Sequence, residues 1–417
     1  LVGSEMCIRD RVGENVFLDN AGASQLPRCV IEAAARYMRE SYVQSGAEYA
    51  LSRKATANIA AAHEFVGTFL NAGDRGRVVL GSSTTALCHI AANAYAEALS
   101  EGAIAKERNE IIVSSAGHEA NIWPWMRLAR RGFKVREWAP VRDATGDWQL
   151  NLDGLRGMLS DRTLLVAFPQ VSNIFGDIWP AAEIAELTHD VGAKVMVDGV
   201  AFAPHRLPDM GAIKCDWYAY SMYKVFGPHM AALFGTHEAF SWLTGPNHYF
   251  VPNETAYKFE LGGINHEGAA AINGGYEYLC LLAGERYAAG DACRRDVMER
   301  AFGVIEALET PLQRELLGGL SGLGRESRIE LAGPARHDSS RVCTVSFLVR
   351  GKRSRDIAAA LNAQGFGCRH GHFYSKRLVD AMGIADANDG VVRVSLAHYN
   401  TSEEVGRFLE ALRGVVG

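Results

Sequence analysis

The sequence predicts an α/β fold in two parts: a large domain on a mostly parallel seven-stranded sheet, and a smaller α+β domain C-terminal to it. Three observations carry this. Between about Arg77 and Gly235, short apolar strand patterns alternate with helical ones. Beyond about residue 290 that rhythm changes. Polar residues suited to ligands also gather in loops directly after predicted strands, where parallel sheets bind small molecules.

Residues 1–11 are set aside first. Glu5-Met6-Cys7-Ile8-Arg9-Asp10-Arg11 resembles a translated sequencing adapter, so the native chain is expected to begin near Val12 to Val16. The stretch lacks the basic start, apolar core and small-residue cleavage site of a secretory signal. Residues 12–30 are expected to form a segment packing on the small domain, 31–290 the large domain and 291–417 the small one.

The strands expected in the large domain are Val78 to Leu80, Glu110 to Val113, Lys134 to Arg136, Leu164 to Phe168, Lys194 to Val197, Trp217 to Tyr220 and Ala231 to Phe234. Ala86 to Leu99 and Ala181 to Val191 read as helices between them, and another helix is expected near Ala269 to Asp291. This alternation implies parallel strands with helices on both faces. In the small domain, helices are expected at Met298 to Leu308, Asp356 to Gln364 and Ser402 to Val415. Strands are expected at Cys343 to Val349 and Val391 to Ala397. Gly318 to Gly324 lacks the spacing of a dinucleotide fingerprint and reads as a flexible turn.

Composition narrows the class. With 417 residues, 48% of them hydrophobic, the chain can bury a large core. A formal charge of −5 gives no reason to expect nucleic acid or an anionic membrane as partner. No apolar run approaches bilayer length. The eight cysteines include no C-x-x-C pair, which argues against a zinc site or disulfide framework and points to a reducing cytoplasm.

The chemistry converges on Lys224. It follows the buried-looking strand Trp217 to Tyr220, just before Gly227-Pro228, and alone would be an ordinary solvated lysine. Asp198 ends the apolar strand Val195-Met196-Val197, where an unpaired carboxylate is costly and a cation should meet it. A protonated pyridine nitrogen fits, and so does a buried arginine. Gly81 to Thr85 leads into a helix and offers hydroxyls and free N–H groups to a phosphate, although an ordinary N-cap looks the same. His118, in the loop Ser114 to Asn121, could lie over an aromatic ring or be a structural histidine. Asn173 could turn its amide toward a cofactor oxygen or a substrate carboxylate. Together these residues suit pyridoxal phosphate, with Lys224 as the Schiff-base amine and Asp198 holding the pyridinium nitrogen. A nicotinamide dehydrogenase would need a G-x-G-x-x-G turn, which is missing.

The same stretches resemble the class V aminotransferase-fold enzymes (fold type I), and within them the cysteine desulfurase and selenocysteine lyase branch. The matching segments are Phe17 to Gly22, Gly81 to Thr85, His118 to Asn121, Val171 to Asn173, Val197 to Gly199, Ser221 to Lys224, Phe259 to Gly262 and Val392 to Thr401. The resemblance implies a homodimer with pyridoxal phosphate at the subunit boundary and an L-amino acid as substrate. It makes Lys224 and Asp198 the cofactor lysine and pyridinium partner, and His118 the stacking residue. Thr85 and Ser221 fall at the phosphate, Thr84 and Tyr223 among the other cofactor-binding residues, Asn173 near the ring, and Asn265 and His266 across the dimer. Arg393 and Arg369 fall on the substrate side.

Three departures stand out. Desulfurases of this kind carry a nucleophilic cysteine on a loop that here reads Cys368-Arg369-His370-Gly371-His372-Phe373-Tyr374-Ser375, with Tyr374 in place of the thiol. Ala201 and Tyr223 replace a glutamine and a histidine. The expected reaction is therefore C–S or C–Se β-elimination without an enzyme persulfide, with Tyr374 placed to supply a proton. Transamination, epimerisation and a catalytically silent relative remain open, as does a sulfur-acceptor protein as partner.

Overall fold

The fold is that of a computed structural model, which describes residues 15–143, 148–253, 255–288, 290–336 and 338–417; the adapter-like stretch 1–11 lies outside them. Strand β1 (Val16–Phe17) comes first, followed by helices α1 (Arg28–Glu40) and α2 (Ala50–Phe69). Strands then alternate with helices through β2 (Gly76–Gly81), α3 (Thr84–Ser100), β3 (Glu110–Ser114), β4 (Lys134–Trp138), β5 (Thr163–Pro169), α4 (Ala181–His189), β6 (Lys194–Asp198), β7 (Trp217–Ser221) and β8 (Ala231–Thr236).

All seven expected strands join one sheet, in the order β2-β8-β7-β6-β5-β3-β4. Strand β8 runs antiparallel to β2 and β7, and every other pair is parallel. Side chains alternate across a strand, so one sheet supplies two cores. Ile112, Val166, Val195, Val197 and Tyr218 pack on one face. Ile111, Val113, Leu165, Met196 and Trp217 pack on the other, under the alanine-rich α3.

Beyond the sheet, α5 (His266–Leu282) packs against α1 and α2, and α6 (Arg295–Ser327) follows. Gly318 to Gly324 is helical, within α6, and not the turn its glycines suggest. Leu312, Leu316, Leu320 and Leu323 are buried at helical spacing, and that apolar stripe outweighs the helix cost of glycine. A Cβ at Gly319 would collide with Leu409, so the glycine lets a neighbouring helix approach. Helix α6 also crosses between cores. Val297, Met298 and Ile305 pack with the large sheet, whereas Leu312 to Leu323 pack with the small one.

The C-terminal part contains β9 (Ile329–Leu331), β10 (Thr344–Val349), α7 (Ser354–Asn362), β11 (Phe366–Gly367), β12 (Arg369–Gly371), β13 (Val391–Ser395) and α8 (Ser402–Val416). Its antiparallel sheet has the order β9-β10-β13-β12. Strand β1 pairs parallel with β11, and Val16 and Leu18 pack in the same core as Val392 and Phe408. The start of the described chain therefore docks on the small sheet. That docking sets Asp19 beside β13, where it bridges to Ser395. Among the described residues, no helix is long and apolar enough to cross a membrane.

Candidate active site

The C-terminal ends of β2, β3, β5, β6 and β7 open into one cleft, as the parallel topology requires. At one end, Ser83 caps α3 by accepting a hydrogen bond from Ala86 N at 3.1 Å. Thr84 Oγ1 and Ser221 Oγ stand 2.8 Å apart, and Thr85 and Tyr223 line the same end. Hydroxyls at a helix N-terminus make a phosphate cup.

Asp198 is the last residue of β6 and is buried. Its Oδ1 accepts from Val200 N at 2.9 Å. Burial pushes the carboxyl up to about 6, against that N–H and the charge of Lys224. Among the described residues no arginine pairs with it, so the alternative of a buried Asp–Arg pair is absent. Lys224 lies on the turn after β7, also buried. Burial, with Arg393 nearby, lowers its amine to about 8. Among the described residues its Nζ has no hydrogen-bond or ion-pair partner. An acid and an amine both driven toward neutrality, and not paired with each other, suit a third group between them.

His118 begins the turn 119–121, and its Nδ1 accepts from Ala120 N at 3.0 Å, which leaves its proton on Nε2. Burial, together with Lys224, Arg393 and His372, lowers it to about 3. It is a neutral ring at the cleft wall. Phosphate cup, isolated acid, free amine and neutral ring fit a phosphorylated pyridine aldehyde.

The small domain roofs the cleft. Arg393 on β13 is buried and lies 3.8 Å from the centroid of the Phe373 ring. It donates to Asn173 O at 3.3 Å and to Asp19 Oδ1 at 3.2 Å, and its Nε has no partner. The Asn173 amide, expected to reach a ligand, is occupied at both ends. It donates to Phe373 O at 2.9 Å and accepts from Ser375 Oγ at 2.6 Å. Asn173 therefore ties the roof loop to the floor, while still lining the cleft.

Phe373 and Tyr374 both have positive φ, 48° and 59°, a strained pair for residues with side chains. Tyr374 is 64% exposed, its ring 5.2 Å from that of His118. Glu119 N donates to Tyr374 O at 2.8 Å. Arg377 adds ion pairs to Glu119 at 2.8 Å and Glu137 at 2.6 Å. Arg369 sits at the lip, 3.5 Å from Asp19 Oδ2. Cys368 points elsewhere: it is buried in the small core and its thiol is pushed up to about 12 by burial and Asp19. Asn265 and His266 do not line the cleft. Asn265 caps α5, and His266 Nδ1 lies 3.1 Å from Tyr37 OH along a separate groove.

Sequence reasoning left Asp19 and Arg377 without a role. Asp19 lies within the segment Phe17 to Gly22, and the docking of β1 on the small sheet sets it against Arg393 and Arg369. Arg377 carries no local signature.

A model of the class V aminotransferase family matches residues 16–408. An aminotransferase-like protein of Gibberella zeae is 36% identical over 410 residues, covering 96% of this chain and 94% of that protein. A cysteine desulfurase of Synechococcus elongatus is 33% identical over 415 residues; 96% of this chain matches 60% of that longer protein. The apo structure of a cysteine desulfurase from Thermococcus onnurineus superposes with a TM-score of 0.82 at 26% identity, covering 99% of both chains.

Proposed function

The chain belongs to the class V aminotransferase family as a pyridoxal phosphate-dependent enzyme of the cysteine desulfurase type, and on that premise we propose that it eliminates a sulfur or selenium group from the β-carbon of an L-amino acid without forming an enzyme persulfide. The observation that carries this is the roof loop. Tyr374 occupies its exposed turn, and the thiol of Cys368 is buried in the small core with its proton firmly held.

Pyridoxal phosphate, when bound, supplies an aldehyde that condenses with amines and a ring that accepts electrons from the α-carbon. Lys224 Nζ would anchor it and would serve as the base that takes the substrate α-proton; an amine near 8 is suited to both tasks. Asp198 supplies the negative charge that a protonated ring nitrogen requires. Ser83, Thr84, Thr85, Ser221 and Tyr223 would hold the phosphate, and His118, a neutral ring at the cleft wall, would pack against the cofactor. Arg393 binds the substrate carboxylate with the aid of Arg369, using the Nε that no protein group satisfies. Tyr374, resting against His118, gives a proton to the leaving group or product. Asn173 positions the loop that presents it.

We propose further that the enzyme is a homodimer, with Asn265 and His266 facing the partner's cleft, and that it works in a reducing cytoplasm. Released sulfur passes to solution or to an acceptor protein.

A second reading, transamination, draws on the Gibberella zeae relative, which is named an aminotransferase-like protein. Purified protein should show a visible cofactor band that is lost in Lys224→Ala. Incubation with L-cysteine, L-cystine and other amino acids then separates the readings. Sulfide with pyruvate supports elimination, and amino transfer to a keto acid without sulfide supports the alternative. Absence of the band overturns both.

A further inference from the structure

We propose that Asp19 sets the charge of the accepted substrate: with Arg393 and Arg369 it forms a cluster of one net positive charge, matched to an amino acid with one free carboxylate and an uncharged side chain. This rests on the reading of the cleft as an amino-acid site.

The geometry is that of one carboxylate shared by two guanidinium groups. Asp19 Oδ1 lies 3.2 Å from Arg393 Nη2, and Oδ2 lies 3.5 Å from Arg369 Nη1. Arg369 and Arg393 are direct cross-strand partners on β12 and β13, an arrangement that like charges disfavour unless an anion joins them. Both guanidinium groups lie by the Phe373 ring, at 5.8 Å and 3.8 Å. Gly22 makes the room, because a Cβ there would stand 2.7 Å from Asp19 Oδ2.

Two positive charges and one negative leave one to be satisfied, and the buried Nε of Arg393 has no protein partner. A substrate carboxylate completes the count. His118 is held neutral by its Nδ1 hydrogen bond and burial, so it adds no charge. A second acidic group would meet Asp19 with no remaining cation in the cluster, and in a partly desolvated roof that repulsion is little screened. Arg369 is 58% exposed, so the discrimination is graded rather than absolute.

The test titrates holoenzyme with L-alanine, L-alanine methyl ester, L-aspartate and L-glutamate, and reads Kd from the change in cofactor absorbance. Wild type is expected to bind L-alanine at least about ten-fold more tightly than L-aspartate. In Asp19→Asn the cluster carries two net positive charges, and the preference is expected to close or reverse as L-aspartate tightens. Arg369→Gln, which removes a lip cation without touching β1, provides the independent arm. There the penalty for esterifying the L-alanine carboxylate should shrink, with no gain for L-aspartate. Equal wild-type affinity for L-alanine and L-aspartate, or an unchanged ratio in Asp19→Asn, overturns the charge rule alone. A holoenzyme that responds to no amino acid overturns the amino-acid reading with it.

Discussion

At the residue scale, the site stores free energy in groups that the fold alone leaves unsatisfied. Burial raises Asp198 from 3.8 to about 6. The folded, cofactor-free chain therefore binds more protons than the unfolded one between those values, and loses stability as pH rises through that window. Asp198→Asn keeps an acceptor for Val200 N and should stabilise the cofactor-free protein by roughly 3 kcal/mol near pH 7, with the gain vanishing near pH 4. Denaturant unfolding of both proteins at the two pH values checks this; equal stability at both would contradict it. Lys224 has the opposite sign. Its depressed amine is protonated below about 8, so the rate at which cofactor-free protein captures pyridoxal phosphate should rise as pH passes through that value. Stopped-flow absorbance would measure it, and a flat profile would contradict it. The places of Lys224, Asp198 and His118 in the cleft were legible because each follows a predicted strand. Asn173 was only half legible. Its place in the cleft follows from the strand, but its bonds to Phe373 and Ser375 are set by a loop two hundred residues away.

At the scale of elements, β6 and its neighbours hold the floor while the 372–377 loop closes the roof. Gly199 directly follows Asp198, and a Cβ there would run into the ring of Tyr218, whose hydroxyl is fixed to Gln170 at 2.7 Å. Gly199→Ala should therefore cost about 1–3 kcal/mol of stability, measured by denaturant unfolding. Arg377 fastens the roof through Glu119 and Glu137. Partly exposed pairs are worth about 1 kcal/mol at most, so Arg377→Ala should quicken amide exchange in the 372–377 loop up to roughly five-fold, an effect that high salt reproduces in wild type. Unchanged exchange would show that Asn173 holds the loop by itself. The large-sheet strands were readable because buried parallel strands are short continuous apolar runs bounded by turns. The last turns of α6 were not. Their glycines mimic a loop, and only the helix packing on the other side of Gly319 reveals why a small residue is needed there.

At the scale of the whole molecule, two sheets with separate cores meet across one cleft, spanned by α6 and by β1, which returns from the start of the described chain to the small sheet. This arrangement brings Asp19, Asn173 and Arg393 together from three distant parts of the chain. It also puts the reactive end of the site under a loop with no accessible thiol. The exposed Tyr42, Tyr49, Tyr257 and Leu261 are apolar surface of the kind a second subunit covers. Sedimentation should therefore give twice the chain mass of 45.3 kDa, and a monomer would contradict the proposed dimer. Elimination without sulfur storage on the protein is checked by mixing holoenzyme with excess L-cysteine, without added reductant, and following sulfide in solution together with the intact protein mass. The expected result is sulfide release, equal in wild type and Cys368→Ala, with no added sulfur on the protein. A protein heavier by one sulfur atom, lost in Cys368→Ala together with sulfide release, would contradict it.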